Sequence, residues 1–150
     1  MPSAIGARGD VIGVLGRGEM SSTHGGNPAS GAAVCAVIDI IQREKLADNA
    51  LRIGAIMMAR LKEIQERSPY LGDVRGRGLV MGIELVKDKQ SKEPAPELTR
   101  KLIDRAARNG LLIGSVGIFG NVIRVAPPLV ITEAEAHESL DILEKSLGEL

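Results

Sequence analysis

The chain has 150 residues, of which 44% are hydrophobic and 25% charged, so most of it can bury a core and is not expected to be disordered. Its 19 basic and 19 acidic residues cancel, which argues against nucleic acid or an anionic membrane as a partner. The one cysteine, Cys35, excludes an internal disulfide. Neither a signal-peptide pattern nor a membrane-spanning apolar run occurs, and we therefore expect a cytoplasmic protein.

The first 26 residues hold seven of the 18 glycines and show no sustained hydrophobic period, which predicts a short strand and a loop. The pattern changes at Asn27, a good N-cap, which precedes Pro28 at the first helical position. We predict a helix from there to about Glu44, with a core-facing stripe at i, i+3, i+4 and i+7: Val34, Val37, Ile38 and Ile41.

A second helical pattern follows and ends at "SPYLGD", where Ser68 precedes a proline. The two helices together span roughly residues 28 to 67. The apolar positions of the second helix are Leu46, Ala50, Ile53, Met57, Leu61 and Ile64.

The period then shortens to two, which is typical of a strand with one buried face. "DVRGRG" before this strand is predicted as a turn, and "KDKQSKEPAP" after it as a solvated loop. The alternating apolar residues of the strand are Leu79, Met81, Ile83 and Leu85.

The remaining elements are a third helix, two short strands and a last helix. The third helix carries Leu98, Leu102 and Ala106 and ends at Gly110. The strands "LLIGSV" and "VIRVA" are separated by the turn "GIFGN", and Thr132 with Glu135 forms the capping box of the last helix. The predicted fold class is α/β with α+β layering, in which long helices pack on a small, mostly antiparallel sheet.

The loop "EMSSTHGGNP" is a candidate phosphate site. A glycine-rich turn that leads into a helix N-terminus can present unpaired N–H groups, and a Ser or Thr hydroxyl adds a donor. The alternative is that Ser22, Thr23 and Asn27 only cap the helix and turn the chain, and spacing alone favours this alternative.

Arg124 is the second candidate, because it lies in the apolar strand "VIRVA" and shares a face with Val122 and Ala126. A guanidinium among aliphatic side chains needs a partner. That partner is either a structural carboxylate of this chain or the carboxylate of a ligand, and the residues alone leave both open.

Four segments resemble the class-III (subgroup II, fold type I) aminotransferases, in the family's order and spacing. "STHGGNPASGAAVCAVIDII" is similar to the segment that follows the active-site lysine, and "MPSAIGARGDVI" to the strand just after that lysine. "LGDVRGRGLVMGIELV" resembles the first strands of the C-terminal domain, and "GNVIRVAPPLVIT" the strand that binds the substrate carboxylate. In texture the 4-aminobutyrate aminotransferases are the nearest members.

This resemblance implies pyridoxal 5'-phosphate as cofactor and a homodimer with shared sites. Thr23, together with Ser22, would contact the phosphate of the cofactor in the neighbouring subunit, and His24 stands where the family has Phe or Tyr. Arg124 would bind the substrate carboxylate, with Gly120 and Asn121 positioning it. Arg75 and Arg77 match a family motif too, for which a structural role in a turn is favoured.

The resemblance also places the Schiff-base lysine a few residues ahead of Pro2, so no catalytic residue is expected within the chain, and no metal ligand either. The seven lysines that are present fall on polar helix faces or in the charged loop. We therefore expect the C-terminal portion of an aminotransferase. Its residues 1–26 would end the large cofactor-binding domain, residues 27–67 would form connecting helices, and residues 68–150 a small C-terminal domain.

Two hypotheses of different class follow. In the first, the chain is part of a transaminase that moves an amino group from an ω-amino acid, 4-aminobutyrate being favoured, to 2-oxoglutarate. Acetylornithine or ornithine aminotransferases and related amino-acid racemases stay open within it. In the second, the chain is a non-catalytic module for dimerisation or ligand binding. In both, the partners are small molecules and a second copy of the chain, with no nucleic acid and no membrane.

Overall fold

The computed structural model describes residues 6–16, 19, 23 and 25–150. The chain divides into two compact units, one that ends at Lys45 and one that comprises Leu46–Leu150. None of the helices in the described part of the chain has the length and apolar character that crossing a bilayer requires.

The first unit contains two helices, the single turn α1 (Gly9–Ile12) and the longer α2 (Pro28–Arg43). α2 begins where the sequence predicted. Asn27 caps the helix, and Pro28 has no backbone N–H that the first turn would leave unpaired. The predicted strand is not found among the described residues before Asn27, where the only regular element is α1.

The apolar stripe of α2 is not part of a core, contrary to the sequence prediction. The helix contains no buried residue, and Val37 and Ile38 are exposed. An amphipathic helix buries its apolar face only when another element covers it, and within the first unit no described element buries the apolar face of α2.

The second unit starts with the long helix α3 (Leu46–Arg67), which the sequence also predicted. From Ile53 onward its buried side chains recur every three or four residues, as a core-facing stripe requires. Gly54 lets α3 pack directly on the backbone of Gly78, since a Cβ at position 54 would lie 2.3 Å from the carbonyl oxygen of Gly78. The buried side chains of the stripe are Leu46, Ile53, Met57, Leu61 and Ile64.

Four strands form one antiparallel sheet in the order β1-β2-β4-β3. They are β1 (Leu71–Arg77), β2 (Val80–Leu85), β3 (Gly114–Val116) and β4 (Val122–Val125). β1 and β2 form a hairpin whose two-residue turn has Gly78 in the left-handed region at φ +55°. The first five residues of "DVRGRG" are therefore strand and not the predicted turn, because residues 73–77 pair with β2, whereas its last residue, Gly78, does lie in the turn.

Helix α4 (Pro96–Arg108) connects β2 to β3, and α5 (Glu133–Gly148) follows β4. The capping box predicted for α5 is present, with Thr132 Oγ1 accepting from the Glu135 N–H and the Glu135 carboxylate accepting from the Thr132 N–H. Together with α3 these helices cover one face of the sheet, where the core lies. Within this unit no helix covers the other, open face, and along β2 and β4 buried residues alternate with more exposed ones.

Candidate functional site

The open face of the sheet carries a row of cross-strand neighbours centred on Arg124. In the register of the sheet, Arg124 on β4 pairs with Gly82 on β2 and with Gly114 on β3, the edge strand. Directly opposed residues of an antiparallel pair point to the same face, so Arg124 is flanked on both sides by positions without a side chain. The aliphatic stem of Arg124 therefore has no side chain directly beside it on either neighbouring strand.

Arg124 is exposed, and its neighbours in sequence point the other way, with Ile123 fully buried in the core. None of the ion pairs or side-chain hydrogen bonds formed among the described residues involves Arg124. The structural carboxylate that the sequence left open as a partner is thus not found in this part of the chain. The five N–H donors of the Arg124 guanidinium are available to a ligand.

Arg75, in the same row on β1, behaves differently. Its Nη1 donates to Asp73 Oδ2 at 2.6 Å and to Glu84 Oε2 at 2.9 Å. The hydrogen bond with Asp73, followed by that with Glu84, raises the pKa of Arg75 above the ordinary value of an arginine. Arg75 is thus neutralised within the sheet, whereas Arg124 is not.

A cleft of about 850 Å³ opens beside Arg124, within the size range of small-molecule sites. Arg124 is the cation among its lining residues, and Glu135 is the anion. The walls are otherwise mostly apolar or small, formed by residues 111–116, 125–128, 130 and 131 with Met57, Thr132 and Ser139. An apolar cleft with a single cation suits a small ligand that carries one carboxylate.

The turn before β4 holds Arg124 in register. Asn121 is buried, and its Nδ2 donates to the carbonyl oxygen of Leu85 at 2.9 Å, while the Leu85 N–H donates to the Asn121 carbonyl oxygen at 2.8 Å. Gly120 adopts φ +63°, a left-handed conformation that glycine accepts without strain. These contacts suit the positioning role that the sequence suggested for both residues.

The loop before α2 is described in part. Thr23 is exposed, and Ser22 and His24 lie outside the described residues. The first amides of α2 are already used: Asn27 Oδ1 accepts from the N–H groups of Ala29 and Ser30 at 2.9 and 3.4 Å. The helix terminus predicted to offer unpaired N–H groups is therefore capped by Asn27, and a phosphate would have to be held by the loop ahead of it.

All seven lysines are exposed, and none lines the cleft beside Arg124. Among the residues that the structure describes, no three His, Cys, Asp or Glu side chains are grouped closely enough to bind a metal ion.

The family model described as "Aminotransferase class-III" matches residues 1–147. An alanine/serine racemase of Pyrococcus horikoshii is 45% identical over 145 residues, covering 91% of this chain and 30% of that protein. A 4-aminobutyrate aminotransferase of Mycobacterium leprae is 38% identical, covering 98% and 33%. The solved structure of a Bacillus anthracis aminotransferase superposes with a TM-score of 0.81 at 34% identity, covering 90% and 32%.

The chain belongs to the class-III aminotransferase family, whose members use pyridoxal 5'-phosphate. Its helices and four-stranded antiparallel sheet match the C-terminal portion of fold type I aminotransferases. The predicted family, fold class and cofactor are thereby confirmed. The chain spans about a third of the length of the curated relatives it matches.

The residues present fit a part of the cofactor's needs. The exposed hydroxyl of Thr23 can donate to a phosphate oxygen, and its loop is rich in glycine, which lets backbone N–H groups approach closely. The exposed lysines do not fit the amine that the cofactor requires.

Sequence reasoning missed the two glycines beside Arg124 and the cleft itself. The pairing of Gly82 and Gly114 with Arg124 depends on strand register across three strands, which neither spacing nor hydrophobic period reveals. The adjacent prolines Pro127 and Pro128, which line the cleft, were the available sign of an irregular wall after β4.

Proposed function

We propose that the chain forms the substrate-carboxylate half of a pyridoxal-phosphate-dependent transaminase. The complete enzyme would move an amino group from an ω-amino acid, 4-aminobutyrate being favoured, to 2-oxoglutarate. The observation that carries the proposal is Arg124, an exposed arginine without an ion-pair partner among the described residues, at the wall of a small-molecule-sized cleft.

Arg124 would bind the carboxylate of the amino donor or of the 2-oxo acid. Its planar guanidinium can form two parallel N–H···O bonds with one carboxylate, which fixes the substrate's orientation as well as its charge. The absence of a side chain at Gly114, which also lines the cleft, leaves the cleft side of the arginine accessible. The buried Ile123 anchors the strand on the opposite face, so the arginine projects from a rigid base.

Ser22 and Thr23 would hold the cofactor phosphate through hydroxyl and N–H donors, in a site shared with the neighbouring subunit of a homodimer. Pyridoxal phosphate, when bound, supplies the electron sink that lets a proton leave the substrate carbon next to the amine. The lysine that holds it and moves that proton would come from outside these 150 residues. For this chain there remain binding and orienting the substrate, and contacting the phosphate.

The domain assignment belongs to the same proposal. Residues 1–26 would complete the large cofactor-binding domain, residues 27–67 would connect the domains, and residues 68–150 would form the small C-terminal domain of a cytoplasmic enzyme. The exposed apolar stripe of α2 supports this assignment, because a helix with such a stripe needs cover from another element.

A second candidate is an amino-acid racemase, favoured by the 45% identity with the alanine/serine racemase. A racemase returns the proton to the other face of the same carbon and transfers no amino group. Acetylornithine or ornithine aminotransferase activity is a further variant of the first proposal. A non-catalytic module would use Arg124 to bind a carboxylate without reaction.

The test compares Arg124→Ala and Arg124→Lys in the complete enzyme. Rates of amino transfer are measured with 4-aminobutyrate and with butylamine, which lacks the carboxylate. We expect Arg124→Ala to lose a charge-assisted pair of about 2–3 kcal/mol with 4-aminobutyrate and little with butylamine, and Arg124→Lys to recover part of the loss. Arg100→Ala, an exposed arginine of α4, is the matched control and should change neither rate.

Equal losses with both amines, together with a lower melting temperature, would contradict the substrate role and indicate a structural one. Formation of glutamate from 2-oxoglutarate marks a transaminase. Conversion of L-alanine to D-alanine without a 2-oxo acid would favour the racemase instead. Binding of 4-aminobutyrate without turnover of any amine would favour the non-catalytic module.

A further inference from the structure

Gly114 lies at the point where the open face of the sheet meets the cleft. It is the β3 residue paired with Arg124, and it lines the cleft together with Arg124. Gly82 flanks Arg124 from the other side, on β2, and does not line the cleft. The two glycines therefore differ in their relation to any ligand that Arg124 binds.

The fold does not require a glycine at position 114. A Cβ built there meets no atom within 4 Å, and its φ lies outside the left-handed region. This contrasts with Gly54, where a Cβ would collide with Gly78, and with Gly78 itself, which has φ +55°. Glycine in a strand weakens it, since β-branched residues are favoured there. The lack of a side chain at position 114 is therefore not required by the fold, and it leaves additional room in the cleft.

A side chain at position 114 would occupy that space. Directly opposed residues in an antiparallel pair have Cβ atoms about 4.5–5.5 Å apart, so it would lie along the stem of Arg124 on the cleft side. In a substrate whose carboxylate is bound by the guanidinium, the neighbouring carbon lies one bond length from the carboxyl carbon. That carbon and its substituents need the room that a branched side chain at position 114 would take.

We propose that Gly114 is a specificity-determining residue, which admits acids that carry a substituent on the carbon next to the carboxylate. The inference rests on the proposed role of Arg124. The bound substrate then extends away from the guanidinium over β3 and not over β2. Both 2-amino acids and substituted ω-amino acids belong to the class that such a site admits.

The test uses two amino donors that differ by one methyl group: 4-aminobutyrate and 4-amino-2-methylbutyrate. In the complete enzyme, KM for each is measured for the native protein, Gly114→Ala and Gly114→Val. We expect Gly114→Val to raise KM for the methylated donor about tenfold or more relative to 4-aminobutyrate, and Gly114→Ala to have a smaller effect. KM for butylamine, which cannot engage Arg124, should change little.

Gly82→Ala is the matched control on the other flank. A Cβ there meets Val122 Cγ1 at 3.4 Å, an ordinary contact, so the fold accepts it. We expect this variant to leave the ratio of the two KM values unchanged. An altered ratio for Gly82→Ala and an unaltered one for Gly114→Val would overturn the inference, because the substrate would then pass over β2.

The melting temperature separates an effect on the cleft from one on the fold. It should stay the same or rise in Gly114→Val, since the strand gains a β-branched residue. A fall would overturn the argument that the fold does not need this glycine. If Arg124→Ala affects carboxylated donors selectively while Gly114→Val does not discriminate between them, the inference alone fails. If Arg124→Ala shows no selectivity, the proposed function fails and the inference with it.

Discussion

Asn121 and Leu85 are joined by two hydrogen bonds, one through the side-chain amide of Asn121 and one through its backbone carbonyl. The Asn121 Nδ2 donates to the Leu85 carbonyl oxygen at 2.9 Å, and the Leu85 N–H donates to the Asn121 carbonyl oxygen at 2.8 Å. The pair ties the start of β4 to the end of β2. It thereby sets the register that places Arg124 opposite Gly82 and Gly114.

Asn121→Ala should lower the free energy of unfolding by about 1–3 kcal/mol, because the buried Leu85 carbonyl loses its side-chain donor. Asn121→Asp should cost more at neutral pH, since it places a carboxylate near the Leu85 oxygen and near Glu84. Urea unfolding at pH 7 and at acid pH measures both. An Asn121→Ala protein as stable as the native one would show that this bond does not hold the register.

Truncation to alanine should change the free energy of unfolding by very different amounts at Ile123 and at Arg124, although the two residues are adjacent. Ile123 is fully buried, so Ile123→Ala should lower the free energy of unfolding by about 2–5 kcal/mol. Arg124→Ala should change stability little, because the arginine is exposed. Thermal unfolding of the two variants tests the difference, and comparable losses would contradict the two-faced arrangement of β4.

Gly54→Ala should be strongly destabilising, at about 1–3 kcal/mol or more, because its Cβ would lie 2.3 Å from the carbonyl oxygen of Gly78. The control is Gly31→Ala in α2, where a Cβ meets nothing within 4 Å. That variant should be neutral or stabilise the helix by up to about 1 kcal/mol. Calorimetric melting measures both, and a tolerated Gly54→Ala would mean that α3 can move away from the hairpin.

The capping box of α5 should make stability depend on pH. Hydrogen bonds from the Thr132 N–H and then from its hydroxyl lower the pKa of Glu135 below the ordinary value of a glutamate. The folded state thus favours the carboxylate, and the stabilisation is complete above the unfolded-state pKa and is lost as the pH falls through the folded-state pKa.

The measurement is the difference in melting temperature between the native protein and Glu135→Gln across the acid range. We expect the difference to be largest at neutral pH and to shrink towards the acid end. Glu138→Gln, an exposed glutamate on the same helix, serves as the control. A difference that is constant with pH would show that the Glu135 charge does not contribute to the cap.

The helix starts and the buried face of β2 could be predicted from the sequence, because caps and apolar spacing depend on residues that are close in the chain. The helix starts at Asn27 and Thr132 follow from side chains that bond the next few residues. The alternation along β2 marks its buried face in the same way. Of "DVRGRG", only Gly78 lies in the predicted turn; residues 73–77 were misassigned because their strand character comes from pairing with β2.

The candidate site was predicted only to the level of single residues. Arg124 stood out because a charge in an apolar strand is unusual, but its lack of a partner among the described residues depends on the tertiary structure. The exposure of the α2 stripe could not be predicted either. Hydrophobic spacing identifies an apolar face of a helix but does not show which element packs on it.

Because alternate residues of β4 face opposite sides, the strand separates two kinds of evolutionary constraint. Ile123 and Val125 pack against the core, whereas Arg124 is exposed on the opposite face. Side chains on opposite faces of a strand share no packing partners, so substitutions at the exposed position disturb the core little. In such a strand the exposed residues can be exchanged without rebuilding the core.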